Sequence, residues 1–513
     1  MDSHAENTRR IAKNTLMLYV RMLFGMLVSL YTSRVVLNTL GVEDYGIYNV
    51  VGGVVAMFSL ISNSLSSSVS RFLTFELGRG DMQRLKDIFS TSILIHLALA
   101  MIVLVLAETV GVWFLNTHMT IPAERLHAAN WVFQASVVSF MFGLFSVPYN
   151  ASIVAHERMS AFAYIGILDI VLRLLIVLFI AYVPMPFDKL IIYALLLVAV
   201  GILLRQIYWY YCRRNFEECR LHWRFDKVCW KEMSSFAGWN FIGATSALLK
   251  DQGVNVLLNL FMGPVVNAAR GIAISVNSAI CSFANNFMTA LNPQITKSYA
   301  AGDRTYMFAL VERGTRFSFY IMLLMALPIL IETDFILTLW LKQYPVHTIN
   351  FVRLILLFSL CDIISNTLIT VQLATGRIRN YQLAVGGMQL MNFPLSYLCL
   401  QIGLQPESTF IVAIVISLLC LMLRLVFLRK MVDLPVRSFI YNVCCKALLV
   451  LIVASIVPCW IHFHLQYGVL RFLTVLMVCL ICVSLTAYFI GCNVAERRFI
   501  CDKVALIKSK ILQ

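Results

Sequence analysis

Charge is scarce in this chain. Asp, Glu, Lys and Arg make up 13 % of its 513 residues, while 60 % are hydrophobic. A soluble domain carries about 25 % charged residues, and with so few this chain could not clothe its own core in water. The shortage, with a mean hydropathy of +0.82, excludes a soluble globular protein and makes lipid the solvent. Segments of about ten residues alternating apolar and polar are also lacking, which excludes a membrane β-barrel. The chain reads as an all-α polytopic membrane protein. No G-x-x-x-x-G-K-[ST] loop is present, so there is no sign of a nucleotide-driven motor. An H-E-x-x-H helix, a nucleophile elbow and paired carboxylates in a soluble loop are missing too, so neither an enzyme nor a cofactor is expected. His462-Phe463-His464 offers two ring ligands without a third, too few for a metal site.

What is present is long apolar runs. They fall at 14–39, 46–75, 88–116, 128–155, 161–183, 190–212, 235–262, 265–296, 306–331, 349–374, 381–404, 408–429, 443–463 and 469–492, each near the ~20 residues a transmembrane helix needs. The first is too long for a signal peptide and lacks a small-x-small cleavage site, so it reads as a helix that stays in place. Most of the 14 cysteines sit inside such runs and are expected to behave as small hydrophobes rather than as a disulfide framework.

Basic residues sort the loops. Arg9, Arg10 and Lys13, then Arg79, Arg84 and Lys86, then the stretch from Arg213 to Lys231 lie on one side. Arg377 and Arg379, Arg429 to Arg437, and the tail from Arg497 to Lys510 join them. The alternate loops hold little more than Arg125, Lys189 and Lys342. Such an excess marks the cytoplasmic side, so both termini are expected inside. The net charge of +15 follows from this asymmetry and from attraction to anionic membrane lipids. No nucleic-acid role is expected for the 213–231 loop.

The two halves echo each other. Gly41 to Gly80 is the same separation as Gly263 to Gly302, an aspartate follows each second glycine (Asp81, Asp303), and Asn63 falls opposite Asn285. "VAHERMSAFAY" is echoed by "LATGRIRNYQL" at a similar offset. Six helices between equivalent points give a parallel repeat, whose interface is a usual place for a transporter's site. The division predicted is an N-lobe at 1–212, a basic cytoplasmic linker at 213–234, a C-lobe at 235–430, and helices 13 and 14 with a tail at 431–513. Arg79-Gly80-Asp81 is a turn between helices 2 and 3 on the inner side, not an adhesion motif.

Charges inside the spans are costly, by about 2.5–3.5 kcal/mol each on insertion scales. Arg21 and Arg34 on the first span, Lys250 on the seventh and Arg270 on the eighth outnumber the nearby acid, Asp251. Lys250 and Asp251 are about 100° apart on a helix and are not expected to face one another well. Surplus positive charge at depth implies a cavity reached by water or by an anion, with Asp251, Asn255, Asn63 and Asn285 as further polar lining. Asp169 and Arg173, four residues apart, are expected to pair; Arg205 and Arg424 are expected to snorkel to headgroups.

The opening "NTLMLYVRMLFGMLVSLYTSRVVLNTLGVEDYGIYNVV", the polar run "SNSLSSSVSR" and "ELGRGD" resemble Wzx-like polysaccharide-unit flippases of the multidrug/oligosaccharidyl-lipid/polysaccharide (MOP) exporter superfamily. The resemblance implies two six-helix lobes around a central cavity that alternates in access. It implies a substrate, an undecaprenyl-pyrophosphate-linked oligosaccharide turned across the bacterial inner membrane, and a polysaccharide polymerase as a partner. By resemblance to the lipid II flippase, Arg21, Lys250 and Arg270 would meet the pyrophosphate. A cation-coupled multidrug exporter is the alternative, but it would want acidic and aromatic cavity residues.

Overall fold

Hydrocarbon offers the backbone no hydrogen-bond partners, so a spanning segment must satisfy its own N–H and C=O groups. In the computed structural model, which describes residues 2–56, 59–117, 121–184, 186–220, 226–493 and 496–497, no strand occurs among the described residues. The chain opens with α1 (Asp2–Ala56), α2 (Ser59–Arg79), α3 (Met82–Leu106), α4 (Val112–Thr117), α5 (Leu126–Ala155), α6 (Met159–Tyr182) and α7 (Lys189–Asn215). Two long helices follow, α8 (Lys227–Met262) and α9 (Pro264–Ala300). Then come α10 (Arg304–Ile331), α11 (Thr333–Leu341), α12 (Thr348–Asp362), α13 (Asn366–Thr375), α14 (Arg379–Leu390) and α15 (Asn392–Gln401). The last are α16 (Ser408–Val432), α17 (Val436–Phe439), α18 (Lys446–His464) and α19 (Val469–Thr486).

Ten segments among the described residues are long and apolar enough to cross a bilayer. The remaining spans fall on α1, α2, α8 and α9, the helices that carry Arg21, the serine run, Lys250 and Arg270. Of the second span predicted at 46–75, residues 46–56 and 59–75 are helical. The polypeptide turns earlier, at Gly41, where φ is 82° and ψ 169°. The basic tail from Arg498 and Arg224 in the linker lie outside the described residues.

The repeat is written in the backbone. Gly41 and Gly263 have φ of 82° and 79°, and Gly80 and Gly302 have 77° and 78°. The third echo pairs Glu157 with Gly376, at 58° and 73°. Left-handed backbone is open to glycine but strained for other residues, so the matched glycines are required by the turns they make. Glu157 is the exception, and something must hold it.

By contacts the chain forms two compact units, Met1–Thr245 with Thr289–Asp303, and Ser246–Met288 with Arg304–Gln513. The division cuts through α8 and α9. The core of the first packs Val132, Phe133 and Val137 of α5 against Ile47 and Val51 of α1 and Leu190 and Ala194 of α7. The core of the second gathers on α10, whose Phe319, Met322, Leu323 and Ala326 meet residues of α12, α18 and α19. In the span Arg304–Ile331, 61 % of the apolar window is buried against 17 % for Val469–Gly491. That enclosure explains why Thr315 and Arg316 on α10 turn to protein partners, the Val311 carbonyl and Thr367 for the first and the Asn442 carbonyl and Glu496 for the second. The described cysteines are all free thiols.

Arg424 does not snorkel. It is 3 % exposed, with Nε donating to the Tyr381 hydroxyl at 3.0 Å, because α14 packs over it on α16 and leaves no route to a headgroup. Arg205 is half-buried over the Tyr149 ring at 4.3 Å. Asp169 and Arg173 pair as their spacing requires, at 2.6 Å.

Candidate functional site

The turn at Gly263 folds α9 back beside α8 and brings Lys250 and Asp251 near Arg270. These three line a cavity of about 300 Å³ in the second unit, together with Asn277, Phe358 and Phe410. Lys250 Nζ lies 5.1 Å from the Phe358 ring centroid, and the Arg270 guanidinium 5.4 Å from that of Phe410. Aromatic faces stabilise a cation without neutralising it.

Lys250 reaches Asp251 Oδ1 at 3.5 Å. The expectation that these neighbours would not face each other is therefore corrected. The flexible four-carbon stem of lysine closes an angle that the Cβ directions open. Asp251 nevertheless keeps 62 % of its side chain exposed. Its backbone carbonyl, not its carboxylate, accepts from Arg270 Nη2 at 3.1 Å.

Arg270 is the unusual member. It is 6 % exposed, no carboxylate lies within 4.0 Å of it among the described residues, and its buried Nε has no acceptor there. A buried guanidinium satisfied on one edge by a single carbonyl is costly unless another acceptor reaches it. The cavity beside it is the space from which an acceptor would come. Two cations and one outward-turned acid make the lining suitable for an anion with several oxygens.

The remaining predicted residues are placed elsewhere. Arg21 belongs to the first unit, its guanidinium 4.6 Å from the Phe162 ring centroid. It runs over Gly166, where an added Cβ would come within 2.5 Å of Arg21 Cδ. The Arg34 side chain lies outside the described residues. Asn255 is half-buried on α8, and Asn63 on α2 and Asn285 on α9 are exposed. Of the four cations named from sequence, the structure brings Lys250 and Arg270 together.

A second polar centre was not singled out from sequence. Glu157, 3 % exposed, accepts from Lys297 Nζ at 2.6 Å and from the Gln294 amide, while Asn14 donates to its backbone carbonyl at 3.0 Å. This cluster holds the left-handed turn that lacks a glycine. The signal was available in the alignment of "HER" with "TGR", where a glutamate replaces a glycine in a position that wants one.

Comparisons with known proteins agree with this architecture. The family described as polysaccharide biosynthesis protein matches residues 11–299. The membrane protein EpsK of Bacillus subtilis (strain 168) is 22 % identical over 317 residues, which is 60 % of this chain and 60 % of that protein's length. A multidrug resistance MATE family transporter of the MOP superfamily, solved in an outward-facing conformation, superposes with a TM-score of 0.71 at 12 % identity, over 84 % of this chain and 96 % of that one. A MOP superfamily transporter from Pyrococcus furiosus Vc1 (DSM3638), described as having a binding pocket of reversed polarity that suggests a different function, has a TM-score of 0.67 at 12 % identity. It covers 84 % of this chain and 96 % of its own. At such identities these structures share a fold with this chain and nothing finer. With its helical membrane architecture and a family match over more than half of its length, the chain belongs to the polysaccharide biosynthesis protein family and has the fold of MATE transporters of the MOP superfamily.

Proposed function

We propose that this protein is a flippase for undecaprenyl-pyrophosphate-linked oligosaccharides, moving polysaccharide repeat units across the bacterial inner membrane by alternating access. The observation that carries the reading is Arg270, buried beside Lys250 in one cavity with its Nε unmet. A pyrophosphate supplies what that pair lacks, oxygen acceptors and negative charge, in a place where low dielectric strengthens both. The lining argues against a multidrug exporter, since an organic cation would meet two positive side chains. The Pyrococcus furiosus neighbour is a precedent for pocket polarity, not fold, marking a change of function.

The Lys/Arg asymmetry of the loops supports a cytoplasmic placement of both termini. Carriage of about two negative charges outward is driven by an inside-negative potential of ~100 mV and is downhill by roughly 4–5 kcal/mol. No nucleotide motor is needed on that sign. A polymerase that consumes the translocated unit would keep the reaction moving and is the partner this reading implies.

The test is translocation of a synthetic undecaprenyl-pyrophosphate disaccharide in proteoliposomes. Lys250→Ala and Arg270→Ala should each slow it by about tenfold or more, the scale of losing one charge-assisted contact. Wild-type rates in the double variant, with the protein folded and inserted, would remove the pair from the mechanism.

A further inference from the structure

Two helices of the repeat, α7 in the first unit and α16 in the second, each expose one continuous face. From Leu195 to Arg214 the exposed residues of α7 fall at intervals of 4, 3, 1, 3, 4, 3 and 1, and from Ile411 to Lys430 those of α16 fall at the same intervals. That spacing follows the helical period, so each set forms a single stripe. Both stripes are apolar over their deeper part and end in a pair of cations, Arg213 with Arg214 and Arg429 with Lys430. Between the two parts they differ. The first has Gln206 and Tyr210 where the second has Met422 and Val426.

The cations of α7 are also held in position. The Arg213 guanidinium lies 5.3 Å from the Trp209 ring centroid, and Arg214 Nη1 donates to the Tyr210 hydroxyl at 3.4 Å. The acids that follow them in sequence are already engaged, Glu217 by Lys86 at 3.5 Å and the buried Glu218 by His156 at 2.6 Å. Neither arginine has a carboxylate within 4.0 Å among the described residues. Their charge is therefore unspent, on the side that the loop charges mark as cytoplasmic.

A phospholipid presents the complementary order of groups: acyl chains, then ester carbonyls, then a phosphate. Tyr210 to Arg214 rises about 6 Å along the helix, close to the ~5–8 Å of one headgroup layer. The Tyr210 hydroxyl accepts from Arg214 and so keeps its own proton for an ester carbonyl, and the Gln206 amide is a second donor. Two guanidiniums side by side suit a phosphate better than any point charge does.

We propose that this face of α7 is a binding site for an anionic phospholipid of the phosphatidylglycerol type. Its acyl chains follow Leu195 to Leu203, its esters meet Gln206 and Tyr210, and its phosphate meets Arg213 and Arg214. A zwitterionic headgroup would bring its ammonium against two unpaired guanidiniums and binds less well. The α16 face offers charge without donors and attracts anionic lipid only as any basic surface does. The assignment concerns the first unit alone and does not depend on what the protein transports.

The test is native mass spectrometry of the full chain in detergent, titrated with phosphatidylglycerol, with phosphatidylethanolamine of the same acyl chains, and with undecaprenyl phosphate. The wild type should retain phosphatidylglycerol at concentrations about tenfold below those that phosphatidylethanolamine needs. Arg213→Gln with Arg214→Gln should abolish that preference, whereas Arg429→Gln with Lys430→Gln removes the same charge and should leave it intact. Gln206→Met with Tyr210→Val gives α7 the face of α16 with every charge kept, and should weaken phosphatidylglycerol binding severalfold. Every substituted position is exposed, so the melting temperature should hold in all three double variants. Equal loss from the two cation pairs, no preference over phosphatidylethanolamine, or undiminished binding in Gln206→Met with Tyr210→Val would mean attraction to basic surface only and overturn the site. Tighter binding of undecaprenyl phosphate than of phosphatidylglycerol, lost in Arg213→Gln with Arg214→Gln, would make this face a contact for the carrier and overturn the phospholipid assignment.

Discussion

At the scale of single residues, the protein places ionisable groups where hydrocarbon would exclude them and then answers each differently. Arg173 has a carboxylate one helical turn away, Arg424 a tyrosine hydroxyl, and Arg270 a lone carbonyl with an edge left open. Glu157 shows how strain is offset. Its left-handed backbone costs roughly 1–2 kcal/mol, and Lys297, Gln294 and Asn14 converge on it. Glu157→Ala keeps the strain and strands Lys297, so it should destabilise the protein by about 3 kcal/mol. Glu157→Gly loses the same contacts but relieves the backbone, and should be milder by about 1 kcal/mol. Thermal unfolding of the detergent-solubilised protein ranks the two; an alanine variant as stable as the glycine one would deny the strain. Sequence pattern showed that a glutamate stood opposite a glycine, but not what it touched, because its partners come from residues more than a hundred positions away.

At the scale of helices, glycine does two opposite jobs. A Cβ on Gly78 of α2 would lie 2.8 Å from the Lys297 carbonyl oxygen and 2.9 Å from Ala300 Cβ on α9, so the helices touch through its missing side chain. Gly78→Ala should cost about 1–3 kcal/mol by forcing them apart. Gly143→Ala, facing open space, should instead gain roughly 0.5–1 kcal/mol of helix stability; a melting-temperature comparison separates close packing from kept volume. The last two helices, α18 and α19, are not loosely attached. Glu332, 1 % exposed at the end of α10, accepts from His462 and Arg471 at 2.7 and 2.8 Å. Near the middle of α10, Arg316 meets Glu496 at 2.6 Å. Glu332→Ala leaves Arg471 buried without its carboxylate and should cost about 3–5 kcal/mol, seen as early loss of protease protection at the C-terminal pair. Hydropathy found these helices, yet their function as a clamped part of the second unit depends on the rotation of each helix, which hydropathy does not report.

At the scale of the whole molecule, the fold and the charge balance together make a directional claim about transport. If a dianionic headgroup is carried outward, an inside-negative potential should accelerate translocation and an inside-positive one retard it. Valinomycin-clamped potassium gradients across proteoliposomes provide the measurement, and indifference to potential would contradict net movement of negative charge. By itself the amino-acid order determined the solvent, the helical class, the approximate spans and the repeat marked by Gly41, Gly263, Gly80 and Gly302. Those properties are decided within a few residues along the chain, by transfer of side chains into lipid and by which residues tolerate left-handed backbone. Only the tertiary structure decided that Lys250 and Arg270 share a cavity while Arg21 stacks on Phe162, that Arg424 is sealed under Tyr381, and that Gly143 and Gly201 line a cavity of the first unit. The reason is geometric: a charge on a helix has a depth that can be counted, but the direction it faces is set by the packing of helices far apart in sequence.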